Sequence, residues 1–185
     1  MTKSKIIYNW LQKKYSRKIN LDRKRIIKVL QKLNNLHLKL KNTTNFIGSD
    51  GKYTSLRSVQ YFLEADNKTT STFVSPHLVN VTDRIWLKNR FITLNEIKKY
   101  ERIVSKTGLK LTLFEAITMI YLLAASKQKK ITHHLIEAGL LFKGDSTRLW
   151  DAPRAQVITN INFQHQEWVK PSTIEEICKQ KVGYL

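Results

Sequence analysis

The residues with reactive side chains are scattered along this chain. His133 and His134 are adjacent, so they cannot share one helix face as the i and i+4 ligands of an H-E-x-x-H zinc site do. One cysteine, Cys178, and five histidines do not supply a four-ligand zinc set. The acids Asp50, Glu64, Asp66, Asp83, Glu137, Asp145 and Asp151 show no spacing that defines a metal nuclease. Gly48-Ser49-Asp50-Gly51-Lys52 has glycines and a lysine, but two residues separate Gly48 from the Gly-Lys pair where a P-loop needs four. It reads as a turn whose Lys52 is free to touch phosphate. Cys178 lies beside Lys179 and Lys181, which favours a thiolate, but no histidine partner is near in sequence and a packing role is the simpler reading. The expectation from these residues is no catalytic centre, no metal, no cofactor and no enzyme.

The chemistry that is plentiful is cationic. Against 33 Lys+Arg stand 14 Asp+Glu, a net charge of +19, and the isoelectric point is about 10.1. A domain this basic carries the electrostatic footprint of a phosphate polymer. The charge is graded: residues 1–44 hold 13 basic residues and 1 acid, residues 45–143 hold 15 and 8, and residues 144–185 hold 5 of each. The expected phosphate contacts are Lys13, Lys14, Arg17, Lys18, Arg23, Lys24, Arg25, Lys28, Lys32 and Lys39 in the first segment, with Lys88, Arg90, Lys127, Lys129 and Lys130 in the second. Lys24, Lys28 and Lys32 form a like-charged ladder that costs an isolated helix a few tenths of a kcal/mol per pair. Phosphates would relieve it. The bland alternative is a solvated helix face.

Two further features bear on nucleic-acid binding. Trp86-Leu87-Lys88-Asn89-Arg90-Phe91 interleaves aromatics with cations and is able to stack bases; core packing is the commoner fate of such rings. The pair 114–126 and 132–142, joined by a basic linker, invites a helix-turn-helix reading. Against it, the linker lacks glycine and the second helix carries few side chains able to read bases.

These residues need elements to position them. Ile26, Leu30, Leu33, His37 and Leu40 recur at helical spacing, which predicts an amphipathic helix over 21–41 with Asn20 as N-cap. An earlier short helix is predicted over 3–14. The stretches 42–55 and 65–77 are rich in Asn, Thr, Ser and Gly and read as breaks. Residues 56–65 fit a helix or a strand, and 78–93 reads as one or two strands. Thr93 with Glu96 and Thr112 with Glu115 are capping boxes opening helices over 94–106 and 113–126, the latter apolar nearly all round and therefore central. Thr132 is read as opening a third helix, 155–164 as a strand, and Pro171-Ser172 as the start of a last helix ending near Gly183. The expected fold is mainly α with a small β component (α+β). A basic N-terminal helical arm, 1–44, would sit on a compact helical body, 45–185.

The functional expectation follows from the charge. The chain reads as an RNA-binding structural component of a ribonucleoprotein, a ribosomal or organellar ribosomal protein that neutralises rRNA phosphates beside neighbouring proteins. The alternative is a helix-turn-helix DNA-binding protein of a phage or plasmid. No apolar run reaches the roughly 18 residues that span a bilayer, and the start lacks the apolar core of a secretory signal. The expected location is the cytoplasm or mitochondrial matrix, not the secretory route.

Overall fold

The computed structural model describes residues 2–183. Its elements in chain order are α1 (Lys3–Lys14), α2 (Lys24–Lys32), β1 (Thr43–Ile47), α3 (Lys52–Ala65), β2 (Thr70–Phe73), β3 (Ile85–Lys88), β4 (Arg90–Phe91), α4 (Leu94–Ser105), α5 (Leu113–Ser126), β5 (His133–Glu137), β6 (Ala155–Ile158) and α6 (Ile174–Val182), with four short 3-10 turns between them. The strands form one six-stranded mixed sheet in the order β4-β3-β2-β5-β1-β6. β5 runs parallel to both β1 and β2, and β6 runs parallel to β1. β3 and β4 add antiparallel pairs at one edge.

Side-chain alternation along the central strands sorts the sheet into two faces. Phe46, Val74 and Leu135 pack with Leu56 of α3 on one side. Phe73 and Ile136 join the larger core on the other, with α5, α4, α1 and α2. Each fully buried apolar side chain of this size stabilises the fold by about 1.5–3 kcal/mol relative to exposure. Tyr121 of α5 is wholly buried and stacks on Phe73 with ring centroids 5.1 Å apart. The two capping boxes form as read: Thr93 and Thr112 accept from Glu96 and Glu115 N–H, and both glutamates reach back.

This is an α/β fold with a mixed sheet flanked by helices, so the mainly-α expectation is corrected. The helix expected from Thr132 is the central strand β5, paired on both sides. His134 to Glu137 are all buried, and a strand covered on both faces shows an unbroken apolar run without period-2 alternation. A helix-turn-helix therefore does not form there. The two stretches read as breaks hold β1 and β2. Their Thr, Ser and Asn composition looks like loop, yet they are buried throughout, and several hydroxyls find internal partners. Thr70 Oγ1 donates to Glu64, and Ser71 Oγ meets both Tyr121 OH and His134 Nδ1.

Nor is a basic helical arm seen. Ile7 and Leu11 of α1 and Ile26, Val29 and Leu30 of α2 belong to the same core cluster as α5. The long helix expected over 21–41 stops at Lys32; Asn34 and Asn35 have left-handed backbones, and a 3-10 turn over Leu36–Lys39 follows. Asn20 accepts from Asp22 N–H in a turn before α2 and does not cap it.

Candidate functional site: a glycine loop at the carboxyl edge of the sheet

Because β1, β2, β5 and β6 run in parallel, their carboxyl ends open onto one edge, the place where open α/β sheets bind ligands. Leaving β1, the chain makes the turn Gly48-Ser49-Asp50-Gly51 and enters α3 at Lys52. Gly48 and Gly51 have φ of +145° and +76°, a region that L side chains rarely adopt. A Cβ on Gly48 would collide with Thr159 Oγ1 and stand 2.9 Å from Asn160 O. The two positive-φ glycines reverse the chain in a short turn. The spacing count that excluded a phosphate loop therefore does not apply to this geometry: strand, glycine turn, then helix N-terminus with its unpaired N–H groups and favourable dipole.

Two ammonium groups converge on this turn. Lys52 Nζ donates to Gly48 O at 3.1 Å and Ser49 O at 2.9 Å. Lys181 of α6, fully buried, donates to the same Gly48 O at 3.0 Å. Burial, and secondarily the Lys52 charge, brings the Lys181 ammonium down to about 8.

The neighbouring strand ends supply polar groups. Glu137 closes β5, is 4% exposed, and accepts from Ser75 N–H at 3.0 Å. Burial raises its carboxyl pKa, opposed by the Ser75 N–H, Lys52 and Arg84. Arg84, itself buried, donates to His77 Nδ1 at 3.1 Å and to Ser75 Oγ at 3.3 Å. Asp145 accepts from the N–H groups of Gly139, Leu140 and Thr147 and from Thr147 Oγ1, which fixes the loop after β5.

Next to this edge lies a cavity of about 340 Å³, walled by Tyr8, Arg17, Lys18, Ser75, Phe114 and Gly139 among others. A side chain on Gly139 would drive into the Phe114 ring. The cavity lining thus combines the Phe114 ring, the cations Arg17, Lys18 and Arg84, the acids Glu115 and Asp145, and a glycine that lets backbone approach.

The residues expected to bind nucleic acid have several different local settings. Arg17 and Lys18 line the cavity. Lys14 pairs with the buried Glu101 at 2.6 Å, Arg25 with Glu115 at 2.7 Å and Arg90 with Glu96 at 2.8 Å. Lys32 donates to Thr107 O at 2.8 Å. Lys24 follows Asp22, which accepts its N–H. Lys13, Lys28, Lys39, Lys88, Lys127, Lys129 and Lys130 are exposed, and Arg23 is half-buried at the start of α2. Trp86 packs edge-on against Phe91 and donates to Glu64. Sequence reasoning missed Lys181, Glu137, Ser75, His77 and Arg84 as a group, because only the sheet brings them together. The one legible signal was Gly51-Lys52, already noted as a turn able to touch phosphate.

No protein-family model matches the chain. It is similar to the dihydrofolate synthase/folylpolyglutamate synthase of Escherichia coli K12, 31% identical over 138 residues, covering 74% of this chain and 32% of that protein. The Haemophilus influenzae dihydrofolate synthase/folylpolyglutamate synthase is 28% identical over 176 residues, covering 95% and 39%. Among solved structures, E. coli FolC in complex with DHPP and ADP superposes with a TM-score of 0.88 at 24% identity, over 99% of this chain and 44% of that one. A bifunctional folylpolyglutamate synthase/dihydrofolate synthase with Mn, AMPPNP and L-glutamate gives 0.85 at 24% identity, over 96% and 43%. The chain spans about a third to somewhat under half the length of these relatives. Among the described residues no helix is long and apolar enough to cross a membrane. These likenesses overturn the expectations of a ribosomal RNA-binding protein, of a DNA-binding protein and of a non-enzyme with nucleic-acid partners: the proteins this chain resembles are folate-metabolism ligases.

Proposed function

We propose that this chain is the nucleotide-phosphate-binding unit of an ATP-dependent ligase that joins glutamate to a folate-type carboxylate. The single observation that carries the reading is the glycine turn between β1 and α3, with Lys52 and Lys181 both on Gly48 O, at the carboxyl edge of the sheet. Support comes from the solved relatives, whose bound molecules include ADP, AMPPNP, DHPP and L-glutamate.

The chemistry is economical with residues. Forming an amide from a carboxylate and an amine requires activation of the carboxylate. With ATP, transfer of the terminal phosphoryl group to a carboxylate oxygen releases ADP and gives an acyl phosphate. The amine then attacks the carbonyl and phosphate leaves. Positioning and charge stabilisation carry most of such a phosphoryl transfer. In the bound state the N–H groups at the start of α3 face the phosphates. Lys52 swings from the loop carbonyls onto phosphate oxygen, and Lys181 adds charge from beneath. The cavity beside Phe114 holds the acceptor, with Arg17 and Lys18 in its lining.

Among the described residues no three His, Cys, Asp or Glu side chains form a metal-binding group. The arrangement fits a divalent cation held mainly by nucleotide phosphates, with Glu137 as the protein carboxylate beside Lys52, as Mg²⁺ is commonly bound. Such a cation would supply charge neutralisation of the phosphates.

The test is titration with a non-hydrolysable ATP analogue and Mg²⁺. Lys52→Ala is expected to weaken binding about thirtyfold, roughly 2 kcal/mol. The triple change of Lys24, Lys28 and Lys32 to Gln is expected to leave it unchanged. Equal loss in both variants would show only nonspecific attraction of a polyanion to a basic surface.

A further inference from the structure

One charge in the glycine turn has the wrong sign for a bare polyphosphate. Asp50 stands between the two positive-φ glycines and next to Lys52, with its carboxylate exposed to solvent. Its placement is fixed from several directions by the segment that follows β6. Gln164 Nε2 donates to one carboxylate oxygen at 2.8 Å and Asn162 Nδ2 to the other at 3.1 Å. The Asp50 N–H donates to Asn160 Oδ1 at 2.7 Å, and Thr159 Oγ1 donates to Asp50 O at 2.6 Å. Ser49 N–H adds a bond to Asn160 O at 2.7 Å. Held this way, the carboxylate is not free to swing away from an incoming anion, and the Asn162 and Gln164 amides keep its pKa below the ordinary range.

We propose that Asp50 makes nucleotide binding at this turn conditional on a divalent cation: it is a specificity-determining residue that rejects the bare polyphosphate and admits its metal complex. This rests on the nucleotide reading of the same turn. The physical reason is sign. The turn's N–H groups, Lys52 and Lys181 attract phosphate, while a fixed negative charge among them opposes the highly charged free nucleotide most. A cation on the phosphates removes most of that repulsion and brings a positive charge near the carboxylate. An asparagine at this position removes the charge and keeps one oxygen acceptor, so it retains one of the two amide bonds.

The full chain is titrated with a non-hydrolysable ATP analogue, once with excess Mg²⁺ and once with EDTA, for the unaltered protein, for Asp50→Asn, and for the double variant Asn162→Ala/Gln164→Ala. Circular dichroism and a thermal melt serve as fold controls. The Asp50→Asn change is expected to tighten binding of the metal-free analogue about tenfold and to alter binding of the Mg²⁺ complex less than about threefold, so that the ratio between the two conditions shrinks. The double variant keeps the charge but frees the carboxylate to swing away, and is expected to lower the ratio by less than Asp50→Asn does. If Asp50→Asn weakens both forms alike, Asp50 is only a brace for the turn and the inference is overturned. If it changes neither, the inference is overturned as well. An unaltered protein that binds the analogue in neither condition overturns the nucleotide reading, and the inference falls with it. Binding of the Mg²⁺ complex with an unshifted ratio in Asp50→Asn overturns the inference alone.

Discussion

Replacing Gly48 with alanine is expected to lower stability by about 2–4 kcal/mol and to remove nucleotide binding at the turn. The backbone there has φ of +145°, so a side chain is strained whatever the available space. Space is also lacking. The new Cβ would strike Thr159 Oγ1 and lie 2.9 Å from Asn160 O. That carbonyl cannot easily retreat, because it accepts the Ser49 N–H at 2.7 Å. Any relief shifts Gly48 O, on which Lys52 and Lys181 both depend. Gly51→Ala is the internal comparison. Its φ is +76°, but nothing lies within 4 Å of the added carbon, so only the left-handed backbone penalty of about 1–2 kcal/mol applies. Urea unfolding of the two variants measures the difference. An alanine at Gly48 tolerated as well as one at Gly51 would contradict the close approach of the turn to the segment after β6.

The second large effect is an acid-sensitive core. His134 of β5 is 4% exposed, and its Nδ1 pairs with Ser71 Oγ at 2.7 Å, which meets Tyr121 OH at 2.9 Å. Burial, aided by the neighbouring His133 charge, brings its pKa down from 6.5 to about 4. Between those two values the unfolded chain binds a proton that the folded chain refuses. Stability is therefore fully present above about pH 6.5 and falls as pH drops toward 4, by about 3 kcal/mol in all. Glu137 and Asp145, both raised by burial, act in the opposite sense, because their folded forms take up protons first. The His134→Gln variant isolates the histidine: its urea midpoint should fall less between pH 7 and pH 4.5 than that of the unaltered protein. Parallel pH profiles for the two would show that His134 carries no such linkage.

Why was the sheet hard to see in the sequence? Helices with boundary chemistry were legible. Thr93-x-x-Glu96 and Thr112-x-x-Glu115 state where α4 and α5 begin, and each box is closed in the structure. α1 lies where the helix over 3–14 was expected, and α6 follows Pro171-Ser172 and ends before Gly183, although its N-cap is Thr173, which accepts from Glu176 N–H. The central strands carry no such marks. β1 is TTNFI and β2 is TSTF, polar sequences whose burial depends on neighbours far along the chain. β5, HHLIE, leads into an apolar run that periodicity cannot separate from a helix.

The site was hidden for the same reason. Lys52 and Lys181 are 129 positions apart, yet both bind Gly48 O. Glu137 meets Ser75 only because β5 pairs with β2. The excess of positive charge was real, but it indicated anions in general. Part of it is spent inside the fold, on Glu101, Glu115, Glu96 and the Thr107 carbonyl. Composition alone cannot distinguish a nucleotide from a nucleic acid; the positions of Lys52 and Lys181 are what support the proposed nucleotide reading.

The most direct test of the central claim is a crystal structure of this chain with ADP and Mg²⁺. The account predicts diphosphate density against the N–H groups of residues 48–54, with Lys52 Nζ moved from Gly48 O and Ser49 O onto phosphate oxygen and Lys181 still beneath the turn. Nucleotide bound elsewhere, with Lys52 still folded onto its own loop, would contradict it.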